Sequence, residues 1–301
     1  MKVGIGPGRY VVAVSGGVDS MVLLDVLRHL PGVDLVVAHF EHGIREDSDE
    51  DRKLVEATAE KYGLRFVYER GHLSHDVSEA AAREARYAFL RRVKEAQGAQ
   101  AIITAHHQDD LLETAVLNVL RGTGRKGLAA LQPTGELIRP LLHVSKQEII
   151  AYAKTHGIVW HEDSTNLSEE YLRNYIRMHA MPRLGKAGKK QLLAYIERAE
   201  ELNLAIDELL LHDLRAQPSP EALGRQWFIL LPYAVSCEGM AAWLRVNAIR
   251  QFDKKTIGRL VVAAKVAVPG KESDILAGYL LKVGQKTLQL VRRTSPEYPS
   301  R

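Results

Sequence analysis

The 301-residue sequence has almost no cysteine and no long apolar run. Its single cysteine, Cys237, excludes an internal disulfide and a metal site built from cysteine alone. No segment approaches the roughly 18 consecutive apolar residues of a membrane-spanning helix. The opening MKVGIGPGRYVVAV lacks the apolar core and cleavage site of a signal peptide. These absences predict a cytoplasmic protein that does not associate with membranes.

The bulk composition is that of an ordinary globular protein, with 46% hydrophobic and 26% charged residues. The net charge of +4 is only mildly basic, but it is unevenly distributed. Residues 241–301 carry 12 Lys or Arg against 4 Asp or Glu, a net of +8, which leaves −4 for the first 240 residues. Such asymmetry is typical of a nucleic-acid-facing segment, although a solvated lysine-rich helix face would also produce it.

Short β-branched runs alternate with longer amphipathic segments in the first half of the chain. This pattern predicts βαβ units and a parallel sheet that is covered on both faces. The predicted strands are Tyr10–Val14, Asp34–His39, Arg65–Glu69 and Ala101–Ala105. The predicted helices are Ser20–Leu30, Asp47–Tyr62, Ser78–Gln97 and Asp109–Leu120.

The second half of the chain is mainly helical in pattern. Ser145 and Glu148 have capping-box spacing, so a helix begins there. A helix over Glu170–His179 is expected to end near Pro182, followed by a Gly- and Lys-rich linker at 183–190. Further helices are expected over Leu192–Leu214 and up to about Lys265, and 274–291 alternates like a closing hairpin around VGQK. We therefore predict one domain over 1–188 and a smaller, mainly helical domain with that hairpin over 189–301.

The stretch YVVAVSGGVDS (10–20) joins a predicted buried strand to a predicted helix. Gly16 and Gly17 have no Cβ, so their backbone N–H groups can approach an anion closely, and the helix N-terminus favours negative charge. The hydroxyl groups of Ser15 and Ser20 add donors. Asp19 would repel a phosphate unless a cation bridged them, which argues for Mg²⁺. The standard P-loop pattern is not matched, because no lysine follows these glycines.

Two other glycine-rich segments do not qualify as phosphate loops. GIGPG (4–8) precedes its strand, and GTGRKG (122–127) follows a helix.

A second constellation, HHQDDLLET (106–114), follows the fourth predicted strand. Asp110 and Glu113 are three residues apart and therefore share one helix face. Paired carboxylates can hold a metal, act as a base or bind an ammonium group. His106, His107, Asp109 and Asp110 can also be interpreted as a metal cluster, and a helix N-terminus enriched in acids would explain the two aspartates alone.

These motifs resemble those of two nested families. SGGVDS resembles the pyrophosphate-binding loop of the N-type ATP pyrophosphatases. HHQDDLLETAVLNVLRGTGRKGLAAL (106–131) is similar to the tRNA(Ile)-lysidine synthetases within that superfamily. So are VAHFEHGIREDS (37–48), EAAAREARYAFL (79–90), LIRPLL (137–142) and WHEDSTNLSEEYLRNYIR (160–177). The resemblance covers about the first 185 residues and implies an α/β fold, a parallel-sheet, Rossmann-like PP-loop ATPase domain.

The resemblance also implies a reaction. ATP and Mg²⁺ would adenylate C2 of the first anticodon cytidine in an isoleucine tRNA with a CAU anticodon, releasing pyrophosphate. Free L-lysine would then displace AMP and give lysidine. The resemblance leaves a homodimer open.

Carried onto this sequence, the resemblance assigns roles to particular residues. Ser15, Gly16, Gly17, Asp19 and Ser20 would hold the pyrophosphate end of ATP, and Ala38 and His39 would border the adenine. Asp110 and Glu113 would bind the lysine ammonium, and Arg173 would lie near the reacting phosphate or the lysine carboxylate. Arg83 and Arg86 would face ATP or tRNA, or simply solvent. Glu41 departs from the family pattern, which has an aspartate there.

Three other functions compete with this interpretation. A tRNA thiolase of the same superfamily typically uses a cysteine pair, which Cys237 alone cannot supply. An NAD-synthetase-like enzyme would share SGGVDS, but its reaction does not require the 163–177 motif or the basic tail. A non-catalytic adenosine-phosphate-binding module would not need the paired carboxylates.

Overall fold

A computed structural model of the chain describes residues 3–41, 48–71, 79–129, 131, 135–162, 172–250, 252–275 and 278–293. The chain divides into two compact units, Met1–Ala199 and Glu200–Arg301. Residue 188, predicted as the end of the first domain, lies within one long helix that also crosses the division between the units. In the described part of the chain no helix is both long and apolar enough to cross a membrane.

The first unit alternates strands and helices. Its strands are β1 (Gly8–Ala13), β2 (Val33–Glu41), β3 (Arg65–Arg70), β4 (Ala101–Ile103) and β5 (Leu137–Ile138). Its helices are α1 (Val18–Arg28), α2 (Ser48–Lys61), α3 (Glu79–Ala96), α4 (Gln108–Leu120), α5 (Lys146–Thr155), α6 (Leu172–Tyr175) and the beginning of α7 (Met181–Arg215). A turn of π-helix, Ile176–Ala180, joins α6 to α7.

The five strands form one parallel sheet in the order β3-β2-β1-β4-β5. The predicted parallel α/β fold is therefore confirmed. Strand β5, within LIRPLL, was not predicted, because two residues are too short to show a strand pattern.

Helices cover both faces of this sheet. Alternate residues of β1 point to opposite faces, so Val12 packs with α1, α2 and α5, whereas Val11 packs with α3. Ile149 and Ala153 of α5 are fully buried in the first of these layers. Burial on both faces explains why β1 and β2 are almost continuously apolar.

The chain around Pro182 differs from the prediction. The helical segment continues past Pro182, which is the second residue of α7. Backbone N–H groups in the first turn of a helix have no acceptor within that helix, so a proline can occupy this position. The predicted linker at 183–190 is also helical, apart from a kink at Gly185, where φ is 58°. Ile196 and Leu192, further along α7, pack with α4 and the π-helical turn in the core of the first unit.

The second unit combines helices with a small antiparallel sheet. Its helices after α7 are α8 (Arg225–Leu230), α9 (Tyr233–Val246) and α10 (Lys254–Val266). Its strands are β6 (Ala222–Gly224), β7 (Glu272–Ile275), β8 (Tyr279–Val283) and β9 (Thr287–Arg292), in the order β6-β9-β8-β7. Strands β8 and β9 pair on either side of the 283–287 turn. The fully buried Trp243 and Phe228 anchor a separate core.

Candidate active site

The two sequence motifs follow neighbouring strands of the parallel sheet. The chain begins in the middle with β1, proceeds outward through β2 and β3, and then crosses to β4 on the other side of β1. At such a switch point the loops leaving the two central strands diverge and open a crevice at their carboxyl ends. The loop at 15–17 enters α1 there, and the segment 104–107 enters α4.

The loop after β1 is built around its glycines and serines. Gly16 has φ of +94°, a backbone conformation that residues with a side chain rarely adopt. The backbone N–H of Ser15 donates to Ser20 Oγ at 3.1 Å, and the Ser20 hydroxyl donates to the Gly17 carbonyl at 2.9 Å. Gly17 is the N-cap residue of α1, and no side chain caps this end of the helix. The N-terminus of α1 is thus not closed by a side chain. An anion site requires such an open helix end.

A cavity of about 380 Å³ opens over this loop. It brings together most residues predicted to bind ATP or lysine: Ser15, Gly17, Asp19, Ser20, Ala38, His39 and Asp110. Gly16, Glu113 and Arg173 do not line it. The cavity is also lined by Glu41, Asp51, Arg86 and His106, so charged and polar side chains stand beside apolar ones at the base of the crevice.

Asp19 is held by a lysine from another part of the chain. The Lys146 ammonium lies 2.7 Å and 2.8 Å from the two carboxylate oxygens of Asp19. His107 Nε2 lies 3.7 Å from Asp19 Oδ2 and 3.6 Å from Asp110 Oδ2, so one buried imidazole stands between these two carboxylates. The sequence analysis missed Lys146, because the residue is distant in sequence and its helix carried no phosphate motif.

A second contact fixes the loop from outside. The backbone N–H of His161 donates to the Gly16 carbonyl at 3.1 Å, and His161 Nδ1 lies 2.8 Å from Asp51 Oδ1. A Cβ on Gly16 would come within 3.2 Å of that same Asp51 oxygen. Gly16 is therefore needed for close approach as well as for its backbone angle. Residues 163–171, the middle of the predicted 160–177 motif, lie outside the described residues.

His39 lies beside the predicted adenine position at the end of β2. Its Nδ1 is 2.8 Å from the Val14 carbonyl oxygen, and its ring stacks on Tyr68 with centroids 5.9 Å apart. Burial lowers the pKa of His39, although the Val14 carbonyl, Asp51 and Glu41 act in the opposite direction. The side chain is thus held as a neutral ring against the cavity wall.

Asp110 and Glu113 share the inner face of α4, as their spacing predicted, and both contact arginines. Glu113 is 2% exposed and pairs with Arg177 through two contacts of 2.7 Å and 2.9 Å. Arg173 lies 3.4 Å from Glu113 Oε2 and 3.3 Å from Asp110 Oδ1. The Glu113 contact is the main reason that the pKa of Arg177 is raised.

These contacts change the expected charge of the carboxylate pair. Two guanidinium groups already neutralise the carboxylates that were predicted to receive a lysine ammonium. Arg173, predicted beside a phosphate or the lysine carboxylate, contacts Asp110 and Glu113. Arg177, in the π-helical turn, was not singled out from the sequence, since the i,i+4 spacing from Arg173 is common on exposed helices.

Asp110 also caps its own helix. Its Oδ2 accepts the His107 backbone N–H at 2.9 Å, and His107 Nδ1 accepts the Asp109 N–H at 3.2 Å. Burial opposes the charge on Asp110, but His107 and Arg173 hold the pKa of Asp110 below its usual value. Asp109 pairs with Lys189 at 3.2 Å. His107 and Asp109 are thus used in ordering α4, not arranged around a shared centre.

His106 is a neutral imidazole in a mostly cationic environment. Burial lowers its pKa to about 3, against the attraction of Asp110 and in the same direction as Arg139, Arg83 and Arg86. Its Nδ1 lies 2.8 Å from the Thr104 hydroxyl. The ring therefore faces the cavity as an uncharged hydrogen-bonding group.

Two of three further residues from the sequence analysis, Arg86 and Glu41, line the cavity. Arg86 lines the cavity, whereas Arg83 donates to the Tyr87 hydroxyl at 3.4 Å. Glu41 is buried, accepts a hydrogen bond from Tyr68 and pairs with Arg70 at 3.1 Å. Burial and Glu41 raise the pKa of Tyr68 to about 12. The extra methylene of Glu41 is thus accommodated by side chains of β3.

Within the described ranges no three His, Cys, Asp or Glu side chains are grouped to hold a metal ion by themselves. Asp19 offers one carboxylate at the N-terminus of α1, with Asp110 on the other side of His107. Mg²⁺ usually retains water and is held by one or two carboxylates together with substrate phosphates. The donor set therefore fits a magnesium ion that arrives with a nucleotide.

Comparison with known proteins agrees with this geometry. Residues 4–184 match the PP-loop domain family. A tRNA(Ile)-lysidine synthase of Geobacter sulfurreducens is 44% identical over a region covering 69% of this chain and 46% of that protein. The corresponding protein of Thermus thermophilus is 35% identical, over 93% of this chain and 56% of its own length. The chain thus spans about half the length of these relatives.

Among solved structures, the U34-tRNA thiolase NcsA from Methanococcus maripaludis, determined with its [4Fe-4S] cluster, has a similar fold. The TM-score is 0.56 at 18% identity, and the match covers 66% of this chain and 73% of that one. At this identity the likeness concerns the fold alone.

Proposed function

Because the chain belongs to the PP-loop domain family, we propose that it uses ATP to join L-lysine to a CAU-anticodon isoleucine tRNA. The first anticodon cytidine is adenylated at its C2 oxygen, and pyrophosphate leaves. The lysine ε-amine then attacks C2, AMP leaves and lysidine is formed. The observation that carries this proposal is the meeting of the phosphate loop and the carboxylate helix α4 at one switch point of the sheet.

The phosphate loop performs the first half of this reaction. Ser15, Gly16, Gly17 and Ser20 surround the pyrophosphate end of ATP, while Ala38 and His39 border the adenine. Backbone N–H groups aimed at a leaving pyrophosphate stabilise the charge that develops on it. His39 and His106 are neutral, so neither ring adds charge to the nucleotide site.

Magnesium fits the proposed nucleotide site. Asp19, with water and phosphate oxygens, would hold the ion, and Asp110 is the next carboxylate within reach. When bound, Mg²⁺ supplies neutralisation of the phosphate charge. For this, Asp19 must exchange its contact with Lys146 for the ion.

Lysine recognition is assigned to Asp110 and Glu113, with unequal parts. Asp110 lines the nucleotide cavity and contacts its arginines at 3.3 Å and 3.6 Å, whereas Glu113 is buried under Arg177 at 2.7 Å. A substrate ammonium in the cavity therefore meets Asp110 first. Glu113 completes the site by holding Arg177, and with it the π-helical turn.

The tRNA and the cellular location belong to the same proposal. The net charge of +8 over 241–301 favours a polyanionic partner for the second unit. ATP, lysine and tRNA are all cytoplasmic, so the reaction would take place there. A homodimer is the remaining open part of the proposal, and sedimentation of the purified chain would test it.

The experiment is pyrophosphate release measured across a panel of tRNAs and amino acids. We expect release with the CAU-anticodon isoleucine tRNA and not with a tRNA whose first anticodon base is guanine. Release that depended on a sulfur donor would favour a thiolase, and release without any tRNA would favour a small-molecule synthetase.

A further inference from the structure

The contact between Lys146 and Asp19 joins two elements that are far apart in the chain. Asp19 is the second residue of α1, directly after the phosphate loop, and Lys146 is the first residue of α5. The ammonium lies within 2.8 Å of both carboxylate oxygens. The Lys146 side chain is 35% exposed and Asp19 is 28% exposed, so both border open space and not the core.

The position of Lys146 is fixed by its helix. Ser145 and Glu148 form a capping box at the start of α5, and Ile149 is fully buried one turn later. Tyr152 donates to Asp25 Oδ2 at 3.0 Å. Residues 146 and 152 on α5 thus face residues 19 and 25 on α1, which aligns the two helices in parallel with both N-termini at the phosphate loop.

We infer that Lys146 is the phosphate-binding lysine of this site. The loop SGGVDS lacks the lysine that reaches the β- and γ-phosphates from a standard P-loop. The structure brings a lysine from α5 to within 2.8 Å of Asp19, which lines the cavity over the loop. When ATP and its cation engage Asp19, the ammonium moves to the phosphate oxygens, so Asp19 pairs with the cation and Lys146 offsets one negative charge of the phosphates.

The inference deepens the proposed function, on which it rests for the reaction. In adenylation the α-phosphorus forms a bond to the substrate oxygen, and its bond to the α,β-bridging oxygen breaks. Pyrophosphate leaves with the electron pair of that bond. The Lys146 ammonium offsets this charge while keeping its proton, because its role is electrostatic.

The test compares nucleotides that do and do not carry the outer phosphates. Calorimetric titrations with ATP and with AMP, both with Mg²⁺, are made on the full chain and on Lys146→Met, Lys146→Arg and Lys154→Met. Lys154→Met makes the same charge change at an exposed position of the same helix. We expect Lys146→Met to weaken ATP binding about ten- to a hundredfold and AMP binding less than about twofold, with Lys146→Arg recovering most of the loss.

A double variant separates phosphate binding from simple neutralisation of Asp19. In an Asp19→Asn background, Lys146→Met should still weaken ATP binding by about tenfold. If its effect disappears there, or if ATP and AMP affinities fall equally, Lys146 only supports Asp19 or the fold and the inference is wrong. None of these titrations involves tRNA or lysine, so a failure of the proposed ligation would show separately in the pyrophosphate-release assay.

Discussion

At the residue scale, two carboxylates and two arginines set the chemistry of α4. Glu113 is buried and bound closely by Arg177, whereas Asp110 has longer contacts and faces the cavity. Spacing alone predicted that the two carboxylates share a helix face. It did not predict the arginines, because the pairing depends on how the 172–180 segment folds back over α4.

Asp110→Asn is expected to raise the KM for lysine while adenylation of tRNA without lysine persists. One charge-assisted contact of about 1.5–3 kcal/mol corresponds to roughly a ten- to hundredfold change.

Glu113→Gln should also raise the KM for lysine, and should lower the free energy of unfolding more than Asp110→Asn, because it leaves Arg177 poorly paired. Steady-state kinetics, trapping of adenylated tRNA and denaturant unfolding would measure these effects. Lost adenylation with an unchanged lysine KM would instead identify the pair as metal ligands.

His106 makes the stability of the protein depend on pH. Its pKa of about 3 in the fold lies below the usual 6.5, so between these values the unfolded chain binds more protons. Stability should therefore fall as the pH decreases from about 6.5 towards 3, by up to about 1.4 kcal/mol per pH unit from this group. Denaturant unfolding at several pH values should show that the free energy of unfolding changes less steeply with pH for His106→Asn than for the wild type. The same substitution at the exposed His212 is the control, and equal slopes for wild type and His106→Asn would refute the prediction.

At the element scale, the strands and helices of the first unit were largely predictable. β1 to β4 and α1 to α5 follow from apolar runs, capping residues and their alternation, all of which are local signals. The course of α7 was not, because Pro182 and the glycines around it are also typical of a linker. Whether such a segment stays helical depends on packing, here of Ile196 against the first unit's core.

Ile196→Ala should lower the free energy of unfolding by about 2–5 kcal/mol, since the side chain is 1% exposed. Tyr195→Ala, at a neighbouring position that is 60% exposed, should change it by less than about 0.5 kcal/mol. Chemical denaturation of both variants is the measurement. Similar stabilities for the two would mean that this part of α7 does not belong to the first unit.

At the scale of the whole molecule, topology explains why distant motifs form one site. The crossover from β3 to β4 places the phosphate loop and α4 on either side of the same crevice. Residue patterns indicated that both motifs lie at carboxyl ends of strands, so their proximity was predictable. The contributions of α5 and of the 160–177 segment were not, because Lys146, His161 and Arg177 reach the site only through tertiary packing.

The most direct measurement is the mass of the first anticodon nucleoside after the chain acts on a CAU-anticodon isoleucine tRNA with ATP and Mg²⁺. Without lysine, we expect an adenylated tRNA that can be trapped. With isotopically labelled lysine, the cytidine should gain one lysine with loss of one water, and AMP and pyrophosphate should form in equal amounts. A cytidine of unchanged mass in both conditions, or one that gains sulfur and no lysine, would contradict lysine ligation.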